Sequence, residues 1–131
     1  MTATEEIVTR TVRIWIGDDG IVRMVDIPGA EEVLDDAIEN LLAVRNVCED
    51  KEYPTLIDIR ELKSITQEAR KYYASDETAR FGKATGLVIG SPMTRGIGNY
   101  FIQLNRPALP LKLFTSEGKA LDWLEGFSAN E

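Results

Sequence analysis

Three short apolar runs, TLIDI (55–59), ATGLVIG (84–90) and LKLF (111–114), are each followed within a few residues by a segment with helical spacing of apolar side chains. A strand that leads through a helix into another strand of the same sheet ends parallel to the first. A parallel strand covered on both faces reads as a continuous apolar run rather than as alternation. That succession commits the second half of the chain to a parallel sheet flanked by helices. At 131 residues there is room for one such sheet and one core, so the whole chain, 1–131, reads as a single domain.

The first half adds a hairpin. TVRIWIG sets Val12, Ile14 and Ile16 against Thr11, Arg13 and Trp15, and IVRMVDI alternates again after the turn GDDG, which makes Thr9 to Ile27 an antiparallel pair. Asp18 and Asp19 belong to turn chemistry, since a bare Asp-Asp-Gly lacks the rest of a calcium loop. Val22, Met24 and Trp15 are expected on the sheet face away from the main helical core, where an apolar patch would support a homodimer.

After Pro28 and Gly29, residues 30–50 place Val33, Leu34, Ala37, Ile38, Leu41, Val44 and Cys48 at helical spacing. Glu31, Glu32, Asp35, Asp36 and Glu39 crowd the first half of that helix, where they favour its dipole. Glu32/Asp36 and Asp35/Glu39 stand four apart and admit a carboxylate metal site, but without histidine a solvated face is the stronger reading. In RELKSITQEARKYY, Ser64-x-x-Gln67 reads as a capping box opening a second helix, with a further helical turn over SDETARF (75–81) ended by Gly82. SPMTRGIGNYFIQLN opens a third helix with Ser91 as N-cap and Pro92 at the first position, and turns Met93, Ile97, Tyr100, Phe101 and Leu104 inward. RPALP connects to the last strand, and TSEGKALDWLEGF is the terminal helix. The predicted fold is therefore α/β, a single mixed open sheet in the order ββαβαβαβα, with an N-terminal hairpin and parallel later strands.

Composition narrows the function. The chain has no histidine, which removes the usual general base near neutral pH and the commonest transition-metal ligand. No paired catalytic arrangement replaces it, so the chain is expected not to be an enzyme and to need no cofactor. Gly96-Ile97-Gly98 completes neither a dinucleotide fingerprint nor a P-loop, and serves close packing of the helix. Cys48, the lone cysteine, reads as a buried filler. A net charge of −7 argues against nucleic acid as partner. No apolar run approaches the length of a membrane helix and MTATEEIVTR has no signal core, so a cytoplasmic protein without a transmembrane segment is expected.

The charge is unevenly spread: residues 1–50 hold twelve acidic and four basic side chains, residues 51–131 ten and eleven. Ligands of open α/β sheets gather beyond the carboxyl ends of the parallel strands, where helix N-termini favour anions. Arg60, Lys63, Ser64, Ser91, Thr94 and Arg95 are the candidate residues for contact with a ligand or partner at that edge, and a small anionic ligand suits them.

The layout, with LIDIRELKSITQEAR in the middle and LKLFTSEGKALDWL at the end, resembles the STAS-like domain superfamily, the SpoIIAA-like domains related to bacterial anti-sigma-factor antagonists, over about residues 7–127. The resemblance implies a non-catalytic bacterial regulatory module that binds a protein partner, with recognition of an anionic or lipid-like small molecule as the alternative. In the phosphoswitch members an aspartate ends the third strand and a Ser or Thr at the start of the next helix accepts phosphate. Asp58 matches the aspartate. The acceptor position falls nearest Gln67 and the Asp-Ser-Ser-Gly-like signature is absent, which leaves Ser64 and Thr66 as shifted candidates for the phosphoacceptor, with capping the simpler role for Ser64.

Overall fold

A computed structural model describes residues 3–75, 82–104 and 109–128. The elements are β1 (Ile7–Val8), β2 (Val12–Ile16), β3 (Val22–Asp26), β4 (Ala30–Glu32), α1 (Leu34–Cys48), β5 (Thr55–Asp58), β6 (Leu62–Ile65), α2 (Gln67–Tyr73), β7 (Thr85–Val88), α3 (Pro92–Leu104), β8 (Leu111–Phe114) and α4 (Glu117–Ser128). Six strands form one mixed sheet in the order β1-β2-β3-β5-β7-β8, antiparallel through β3 and parallel beyond it, as the alternation of runs and helices predicts. The helical turn expected over SDETARF and the start of the RPALP connector lie outside the described residues.

A second, two-stranded sheet pairs β4 with β6 in parallel and was not anticipated. It moves two boundaries. Ala30–Glu32 is extended rather than helical, so α1 begins only at Leu34, where Asp36 accepts the Val33 amide. Ser64 is a strand residue and caps nothing; the cap of α2 is Thr66, whose hydroxyl accepts the Ala69 amide at 3.2 Å. Ser91 does cap its helix, its Oγ accepting the Thr94 amide at 3.1 Å.

The helices lie on both faces of the main sheet. Val12, Ile14, Ile16, Val22 and Met24 pack under Val44 and Cys48 of α1, while Ile59, Leu87 and Ile89 pack under Ile97 of α3. On the opposite face Leu56 and Val88 are covered by Ala120 and Leu124 of α4. Val22 and Met24 are thus core residues, contrary to the expected outer patch. Ile14 pairs with Met24 and Ile16 with Val22 in the register, and residues directly opposite in an antiparallel pair share a face. Trp15 alone of the three points outward, half-buried, with the Arg13 guanidinium 5.9 Å from its ring centre.

Of the residues expected to face inward from α3, Ile97 is buried, whereas Met93 and Leu104 are 44% and 47% exposed. Only one of the two helical glycines is explained by packing. A Cβ on Gly98 would come within 2.8 Å of Leu113 Cδ2, but one on Gly96 would meet nothing within 4 Å.

Candidate functional site

The carboxyl edge of the parallel strands brings together Arg60, Ser91, Thr94 and Arg95, with the polar groups of the first three already engaged. Thr94 is fully buried, and its hydroxyl accepts the Gly90 and Ser91 amides, each at 2.9 Å. Those amides are the ones an anion at the start of α3 would need. Arg60 lies across Gly90, a Cβ on which would come within 3.1 Å of Arg60 Cγ, and forks onto the buried Asp58 carboxylate at 3.0 and 2.7 Å. Arg95 is exposed and, with Ser91 and Thr115, lines an open depression. Lys63 and Ser64 sit apart from these on β6; Lys63 is 3.9 Å from Glu31, both exposed. Thr66 is occupied as the cap of α2.

A different site lies on the other side of the strand ends. Between helices α1, α2 and α3 and the face of β3, β5, β7 and β8 lies a cavity of about 190 Å³, lined on the sheet side by Met24, Ile57, Thr85, Leu87 and Leu111. Val44 and Leu41 close it from α1, Ile97 and Phe101 from α3, and Ile59, Leu62 and Ile65 from the region of β6. Its walls are overwhelmingly aliphatic. An exception is the end where Asp26, Glu32 and Tyr73 meet.

That end is built by alternation. Along β3, Val22, Met24 and Asp26 point to one face, so the third position of an apolar series holds a carboxyl group. Asp26 is 4% exposed, and its Oδ2 has no hydrogen-bond partner among the described residues. Burial, with the charges of Glu32 and Asp58 nearby, pushes its pKa up to about 8. Glu32, also 4% exposed, comes in from β4 and is better provided: Tyr73 donates to its Oε1 at 2.8 Å and Asn40 to its Oε2 at 3.2 Å. Burial still raises the Glu32 pKa, against the lowering effect of the Tyr73 and Thr11 hydroxyls. Burial likewise holds the Tyr73 phenol protonated well above its ordinary range.

Asn40 organises the group. It is fully buried on α1, donates to Thr11 Oγ1 at 3.0 Å and Tyr73 Oη at 3.1 Å, and accepts from Thr9 at 2.7 Å. Asp36, one turn earlier, is held by Arg10, whose Nε is 2.8 Å from Oδ1, and the pair keeps the Asp36 carboxyl below the usual range. The Glu32/Asp36 pair thus is not a solvated helix face: Glu32 is in a strand and Asp36 in an ion pair. Among the described residues no group of three or more Cys, Asp or Glu is placed to hold a metal ion. Cys48 is buried in the α1 core, its thiol pushed up to about 11 by burial, a setting for packing rather than reactivity.

Sequence reasoning missed Asp26, Glu32, Asn40 and Tyr73. The available signal was the register: once Ile14 is assigned inward, its partner Met24 is inward, and Asp26 follows two residues on.

A family profile described as "Domain of unknown function (DUF7793)" matches residues 14–128. The chain belongs to the DUF7793 family. This DUF7793 chain matches none of the curated proteins. Among solved structures it is similar to an uncharacterized protein from Shewanella loihica PV-4, of the DUF3478 family with a SpoIIAA-like fold. The TM-score is 0.64 at 16% identity, over 95% of this chain and 98% of that one. It is also similar to a protein of unknown function from Arthrobacter sp. FB24, with 32% identity over 91% of this chain and 96% of that one and a TM-score of 0.35. The fold of this DUF7793 member is thus SpoIIAA-like, of the STAS-like type that its sequence resembles. No helix among the described residues is long and apolar enough to cross a membrane.

Proposed function

We propose that the chain is a non-catalytic STAS-like module that takes a small, largely apolar molecule into the cavity beneath its sheet, as a sensor or carrier. The cavity itself carries this reading. Protein interiors are close-packed, with few spaces larger than a water molecule, whereas this partly open one of about 190 Å³ is lined mostly by aliphatic side chains. An engineered cavity of about 150 Å³ with apolar walls takes up benzene. The anionic ligand expected at the basic edge has less support, because Thr94 takes up the Gly90 and Ser91 amides and Asp58 engages Arg60.

The test is a calorimetric titration with 1-octanol. The wild type binds one equivalent, and Leu87→Phe, which extends a sheet residue into the cavity, abolishes binding while the protein stays folded. Equal binding by the variant sinks the placement, and no binding of any octyl compound sinks the reading.

A second reading, a regulatory module with a protein partner, is favoured by the exposed Met93 beside Ser91 and Arg95 at the carboxyl edge. It predicts that a partner captured from lysate by the wild type is lost with Arg95→Glu. For a homodimer, Trp15 remains of the three patch residues proposed, and a mass that rises with concentration between micromolar and millimolar would support it.

A further inference from the structure

We infer that the molecule held in this cavity is an amphipathic amine, its ammonium head seated between the carboxyl groups of Asp26 and Glu32 and its apolar body along the aliphatic walls. The inference rests on the cavity being a ligand site and adds the chemistry of the ligand's polar end.

Three observations carry it. Asp26 is a carboxyl group more than nine-tenths buried, lining the cavity, with an oxygen that no group among the described residues satisfies. A buried unpaired polar atom costs about 1–3 kcal/mol, so a partner supplied from outside is favoured by that amount. Next, among the described residues every charged side chain that lines the cavity is acidic: Asp26 and Glu32 line it, and no described Lys or Arg does. At that end a fatty-acid carboxylate would meet two carboxyl groups, whereas an ammonium group offers three donors to them. Finally, two donors at this end already serve Glu32. Tyr73 and Asn40 both donate to it, which fixes its two oxygens and leaves Asp26 as the open acceptor.

Size follows from volume. A space of about 190 Å³ suits a single ring or a chain of about eight carbons, given that about 150 Å³ holds benzene. n-Octylamine, 1-octanol and octanoate share that body and differ only in the head.

Proton balance provides a signature. Asp26 faces Glu32 from β4 and Tyr73 from α2, with Asp58 of β5 also acting on it, while the Arg10–Asp36 pair acts on Glu32. In that setting Asp26, its value being about 8, holds its proton at pH 7 until a cation pairs with it. An ammonium arriving from solution forms an ion pair with the carboxylate, and the Asp26 proton leaves to the buffer.

The experiment is calorimetric titration of the full chain with the three octyl probes at pH 7, repeated in two buffers of different ionisation enthalpy, on the wild type and Asp26→Asn. Expected is a preference of at least about tenfold for octylamine over octanol and octanoate, with close to one proton released per amine bound. In Asp26→Asn the preference over octanol and the proton release are lost while octanol still binds. Octanol or octanoate binding as well as octylamine, or an amine preference that survives in Asp26→Asn, overturns the amine assignment and leaves the cavity standing as a ligand site. Failure of all three probes overturns both. The proton count comes from the wild type alone, so it decides even if the variant folds poorly: an uptake, or no exchange, counts against the proposal.

Discussion

Asp26 stands at a position where alternation along β3 calls for an apolar side chain, and its chemistry follows from that placement. A carboxyl group whose folded pKa is raised to about 8 holds its proton more tightly in the native state than in the unfolded one. Stability from this group is therefore fully present below its unfolded value near 4 and is lost as pH rises toward 8. Glu32, raised in the same sense, adds to the trend, while Asp19 and Asp36, lowered by Arg23 and Arg10, act oppositely and lose their contribution only in acid. The comparison of wild type with Asp26→Asn isolates the one group. Urea unfolding at intervals between pH 5 and 9 is expected to show the variant gaining on the wild type as pH rises, by on the order of a few kcal/mol at the alkaline end. A constant difference across the range would mean that Asp26 is ionised throughout.

At the scale of elements, the strand-helix alternation was legible because each unit is written twice, once as an apolar run and once as a 3.6-residue period. The β4–β6 pair was not. Each partner is only three or four residues long, neither has a periodicity of its own, and what makes Ala30–Glu32 extended is a partner some thirty residues later. Missing it placed Glu32 on a helix and gave the α2 cap to Ser64 instead of Thr66. Helix α3 shows the same limit in its glycines. The pair Gly96 and Gly98 looks alike in sequence, but Gly98 faces Leu113 of β8 and Gly96 faces solvent. Gly98→Ala is expected to destabilise by about 1–3 kcal/mol, because the new methyl must displace a packed leucine. Gly96→Ala should stabilise by about 0.5–1 kcal/mol, the ordinary gain of alanine over glycine in an exposed helix interior. Denaturant midpoints of the two variants measure both, and a loss in Gly96→Ala would show that this glycine serves a contact beyond the chain.

For the whole molecule, the sequence located the site by the general rule for open sheets and the structure moves attention from the solvent edge to the space under the sheet. The rule draws on strand direction, which a sequence reveals; a cavity depends on how α1, α2 and α3 stand off one face, which no local pattern encodes. The lining residues Leu41, Val44, Leu87 and Ile97 read as ordinary core residues in sequence, and in the structure they also border a space of about 190 Å³. Thermodynamic linkage then ties occupancy to stability: a ligand that binds only the folded form adds RT ln(1 + [L]/Kd), about 2.7 kcal/mol at a hundredfold excess over Kd. For a domain of this size such a gain raises the melting temperature by roughly 5–15 °C. Thermal unfolding with increasing octylamine should follow that logarithmic rise in the wild type and stay flat in Leu87→Phe, whose cavity is filled by its own side chain. A rise of equal size in both proteins would show that the amine binds at carboxylates elsewhere on this acidic surface, and the cavity would then not be the amine's site.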